Sequence, residues 1–156
     1  MKNPKAVVHG TIFAERHWHD FFDDDVGAAR SQRYQYIRNY NPDLPGTLPT
    51  DAVRRLTFQA MRRPRDGKLA SQHLGCFLKP RPEEEPYDTE TDPHELRKLA
   101  SDPSIATTFN QPRRALTEWQ RIAADRPPET HTCYEFDRET GSPLPSRSFE
   151  RRPPKS

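Results

Sequence analysis

Apolar side chains come in short groups along this chain, and their spacing predicts the elements. Residues 5–14, "KAVVHGTIFA", predict one or two short strands broken at Gly10. The acid- and Gly-rich "FFDDDVGAAR" (21–30) predicts a turn. "ARSQRYQYIRNY" (29–40) alternates with period two: Tyr34, Tyr36 and, less cleanly, Ile37 supply the apolar side, with Arg33, Gln35 and Arg38 between them. That is the pattern of a strand, and the Pro-rich "NPDLPGTLP" (41–49) after it is a loop. Thr50 or Asp51 can cap a helix over about 51–62, with Val53, Leu56, Ala60 and Met61 on one face, stopped by Pro64 and Gly67. "HLGCFLKP" (73–80) is a short apolar run. Residues 83–105 predict a strand end at Tyr87–Asp88, a turn and a short helix. Asp92 would cap that helix, with Pro93 at its first position and Glu95 three residues after the cap. Leu96, Leu99 and Ala100 would form its buried stripe. Asn110 with Pro112 can open a helix through about 124, with Leu116, Trp119, Ile122 and Ala123 on one face.

Composition narrows what these elements can build. Of 156 residues, 31% are hydrophobic and 31% charged, and 17 are proline. Prolines usually make up about 5% of a chain. A small core is affordable, but holding every residue around it is not. The expectation is a partly ordered protein, or a piece that packs on something larger. From Arg126 onward aliphatic residues thin out and Pro and charge dominate. The segments divide accordingly into an ordered region, 1–125, and a Pro-rich, charged tail, 126–156, expected to be disordered.

Net charge is +2, which makes no global case for nucleic acid or membrane as a partner. No apolar run approaches the roughly 20 residues of a membrane span. "MKNPKAVVHG" lacks the apolar core of a signal peptide. Cys76 and Cys133 show neither C-x-x-C nor zinc-type spacing.

The densest chemistry lies in "GTIFAERHWHD" (10–20), where an apolar run ends in Glu15, Arg16, His17, Trp18, His19 and Asp20. Strand alternation would put His17 and His19 on one side and Trp18 on the other. Two histidines at i and i+2 can chelate, with Asp23, Asp24 and Asp25 nearby. No third ligand is identifiable, so no metal site is assigned. Arg30 and Arg33 read as solvated partners for the acids at 23–25.

Four signals stand in one order: "FAERHWHD", then "ARSQRYQYIRNYNPDLP", then "EEEPYDTETDPHELRKLASDP", then an amphipathic helix carrying "ALTEWQ". This order resembles the C-terminal part of the sulfatase family, and within it the heparan N-sulfatase (N-sulfoglucosamine sulfohydrolase) type. The specific parts are R-Y-x-Y-I-R-N and E-x-Y-D-x-x-x-D-P-H-E-x-x-x-L-A-x-D-P. The resemblance covers roughly residues 6–125. It implies an α+β unit of the alkaline-phosphatase-like superfamily, a small antiparallel sheet packed by two or three helices as the sulfatase C-terminal subdomain.

The resemblance also implies hydrolysis of sulfuric esters or N-sulfates on sulfated carbohydrate. The family's nucleophile is a formylglycine made within Cys-x-Pro-x-Arg, placed beside calcium in the N-terminal part. Neither is encoded here: Cys76 precedes "FLKP" and Cys133 precedes "YEFD". In "PLPSR" (143–147) Pro143 stands where the nucleophile would be, and proline cannot serve. The chain therefore reads as a C-terminal fragment, inactive alone, completed by a companion sulfatase catalytic domain. Met1 just upstream of a family strand fits a chain that begins in mid-fold.

Carried over, Glu15, His17 and His19 are the candidates to face a sulfated sugar, and Arg16 could pair with an anionic group. The simpler alternative makes them surface loop residues, with Trp18 anchoring the turn. The family is usually periplasmic or secreted, which leaves localisation open for a chain without a signal. A different class of function is a non-catalytic module that binds sulfated glycans or a protein through Arg54, Arg55, Arg62, Arg63 and Arg65. Salt-sensitive retention on heparin without hydrolysis would favour it.

Overall fold

The computed structural model describes residues 10–19, 22–44, 46, 52, 55–62, 75, 77–96, 99, 107–127 and 142. The Val7–Val8 segment, Val53, Cys76, Cys133, Pro143, Arg54, Arg63, Arg65 and most of the tail lie outside these residues. So do the side chains of Trp18, His19, Asp23 and Arg62.

Four strands form one sheet in the order β1-β2-β3-β4. They are β1 (Ile12–His19), β2 (Phe22–Arg30), β3 (Tyr34–Asn39) and β4 (Glu84–Asp88). Connections of two and three residues between the first three leave no room for a parallel crossover. β3 and β4 pair antiparallel, with Tyr34 opposite Asp88 and Tyr36 opposite Pro86. Two helices, α1 (Leu56–Arg62) and α2 (Asn110–Ala123), complete the described elements. The architecture is the expected α+β one, a small antiparallel sheet with helices.

The chain forms two compact units, the first comprising residues 1–15, 27–38 and 84–125 and the second residues 16–26, 39–83 and 126–156. The core of unit 1 is Ala29, Tyr36, Phe109 and Leu116, with Phe13, Tyr34, Leu99 and Trp119 packed against it. Tyr34 and Tyr36 lie two residues apart on β3 and so share a face. Tyr34 meets the Phe109 ring edge-on at 5.4 Å, while Phe13 stacks nearly parallel on Trp119 at 5.3 Å. Such aromatic contacts add roughly 0.5–1.5 kcal/mol beyond area burial.

Tyr36 is fully buried, and its hydroxyl donates to Glu84 Oε1 at 2.7 Å. Arg113 of α2 clips the same carboxylate twice, at 2.9 and 2.6 Å. That guanidinium holds Glu84 below the usual carboxylate range, and burial together with Glu84 pushes the Tyr36 hydroxyl well up, so it stays a donor. In unit 2, Phe58 of α1 is buried against Phe77 at 5.4 Å.

Several local expectations are corrected. Residues 22–30 are a strand, not a turn: Asp24 and Asp25 find partners that satisfy their charge in place, described below. The strand expected over 29–40 is therefore shorter, and residues 31–33 form the turn before it. The helix expected after Asp92 does not form in residues 92–96. Glu95 takes φ 54°, in the left-handed region, and its N–H closes a turn on the Asp92 carbonyl at 3.0 Å. Its carboxylate is clamped by Gln35 at 2.8 Å and Arg30 at 3.0 Å. Leu96 is 58% exposed, although Leu99 does reach the core.

On α1 the buried residue is Phe58, while Leu56 is 87% exposed. The α2 helix starts without a side-chain cap, after Phe109. Leu116 is buried as expected, but Ile122 is 70% exposed.

Candidate functional site

The titratable end of β1 belongs to unit 2, and the acids of β2 explain its geometry. Asp24 and Asp25 are both buried, as are Asn39, Asn41 and Arg81. Burying a carboxylate is costly unless donors satisfy it. Asp24 receives the buried Arg81 guanidinium on both oxygens and the half-exposed Arg16 on Oδ2. Arg81 is itself fixed by the Leu44 carbonyl at 2.9 Å and the Asn41 carbonyl at 3.3 Å. A bidentate guanidinium–carboxylate pair of this kind sets orientation as well as charge.

Asp25 uses its two oxygens differently. Oδ1 lies 3.1 Å from Nδ1 of His17, and Oδ2 accepts from the Asn41 side-chain amide at 2.7 Å. The Asp25 backbone carbonyl accepts from Tyr40 N–H at 2.9 Å. Thus "ERHWHD" and "DDD" are two halves of one polar cluster. Arg16 and His17 of β1 answer Asp24 and Asp25 of β2 in the same order.

Of the expected site residues, His17 is half-buried in this cluster and Glu15 is exposed on β1. His19 lies on β1, its side chain outside the described residues. Asp25, Asn41 and Arg81 carry the cluster and were not anticipated. The adjacent pair Asp24-Asp25 inside a strand was the available signal, because two neighbouring acids there demand internal partners. Arg30 and Arg33 do not serve these acids. Arg30 pairs with Glu95, and Arg33 takes Asp88 bidentately at 3.1 and 2.7 Å, lowering the Asp88 carboxyl below its ordinary range.

Over 139 residues, 80% of this chain, the sequence is 36% identical to an ulvan-active sulfatase from Formosa agariphila. The chain spans 23% of the length of that relative. No family model matches it. Among solved structures it is similar to a 2-O GAG sulfatase, with TM-score 0.46, 18% identity, and coverage of 79% of this chain and 18% of that one. It is also similar to a protein solved with its substrate, D-glucosamine-2-N,6-O-disulfate (TM-score 0.44, 14% identity, 76% of this chain and 17% of that one). Among the described residues, no helix is long and apolar enough to cross a membrane.

Proposed function

We propose that this chain supplies the C-terminal subdomain of a sulfatase-type hydrolase of the alkaline-phosphatase-like superfamily, acting on sulfated carbohydrate. The 36% identity to an ulvan-active sulfatase over most of the chain carries the reading. The motifs R-Y-x-Y-I-R-N and E-x-Y-D-x-x-x-D-P-H-E favour the heparan N-sulfatase type within that family. Glu15, His17 and His19 shape the substrate side in this reading.

Formylglycine and calcium would come from a catalytic region outside these residues: neither cysteine lies in the nucleophile motif, and among the described residues the buried acids of β2 do not suit a cation. Neither Cys76 nor Cys133 lies in Cys-x-Pro-x-Arg. The buried carboxylates of Asp24 and Asp25 face guanidinium, imidazole and amide donors. Such a donor shell repels a cation instead of holding one. No step of hydrolysis is assigned to this chain.

Incubation of the purified chain with sulfated oligosaccharides should release no sulfate by ion chromatography. Calorimetry should show binding of a sulfated oligosaccharide over its desulfated form, weakened by His17→Ala. Sulfate release by the chain alone, or equal affinity for both sugars, would overturn the reading.

A further inference from the structure

We draw no further inference here: the strongest candidate, the cavity of about 290 Å³ in unit 1 lined by Asp88, Thr91, Asp92 and Leu99 beside the turn after β4, carries nothing, because Asp88 is already held by Arg33 and no second observation points to a ligand for a pair of acids.

Discussion

The two units are stabilised by opposite means. Unit 1 buries mainly rings, with Ala29 and one leucine; Asp88, paired with Arg33, is its one buried charged residue among those described, and Glu84 and Arg113 sit partly exposed beside the core. Unit 2 buries Asp24, Asp25, Asn39, Asn41 and Arg81, with Phe58 as its one buried hydrophobic among the described residues. An apolar core tolerates error gradually, since a smaller side chain loses area and leaves a cavity. A polar core fails abruptly, since removing one partner strands another in a place water cannot reach.

That contrast is sharpest at Arg81. Arg81→Ala should destabilise the protein by about 4 kcal/mol in urea unfolding, because Asp24 keeps its burial and loses its bidentate partner. The paired replacement Asp24→Leu with Arg81→Met should cost less than the single change. If the double variant were the worse of the two, the polar core would be a net source of stability and the contrast would break. Leu116→Ala, in the apolar core, should cost about 3 kcal/mol. Tyr36→Phe should cost about 1 kcal/mol, from the hydroxyl lost to Glu84.

Acid offers a further comparison. The Arg113 guanidinium, aided by the Tyr36 hydroxyl, holds the folded Glu84 carboxyl below its unfolded value of 4.5. A depressed group stabilises fully above that pH, and its contribution is lost as pH falls through the folded value. The melting temperature should therefore decline on acidification below about pH 4.5. Glu84→Gln should flatten part of that decline, at a cost near 1 kcal/mol at neutral pH because the pair is partly solvated. At the small end, Glu118→Gln on the exposed face of α2 should leave the melting temperature unchanged.

The elements with clean periodicity were legible in the sequence. The alternation of Tyr34 and Tyr36 marked β3, Tyr87–Asp88 marked the end of β4, and Leu116 with Trp119 marked the inner face of α2. What escaped was decided by distant partners. "FFDDDVGAAR" has the composition of a turn, and only Arg81, 57 residues from Asp24, makes a strand of it tolerable. Asp92, Pro93 and Glu95 spell a helix start, yet Glu95 is held by Arg30 and Gln35 across 65 and 60 residues. In the site, His17 was picked out by its crowded neighbourhood. Asp25 was visible only as one of three acids, because the identity of its partner depends on strand pairing.

The stacking of Phe13 on Trp119 has a practical consequence. The chain has two tryptophans, Trp18 and Trp119, and they fall one in each unit. With Trp18→Phe, the remaining indole emission comes from the aromatic interior alone, quenched or shifted as that ring loses its neighbour. Following this signal beside the amide band in far-ultraviolet dichroism would show whether both halves melt in a single step or one outlasts the other.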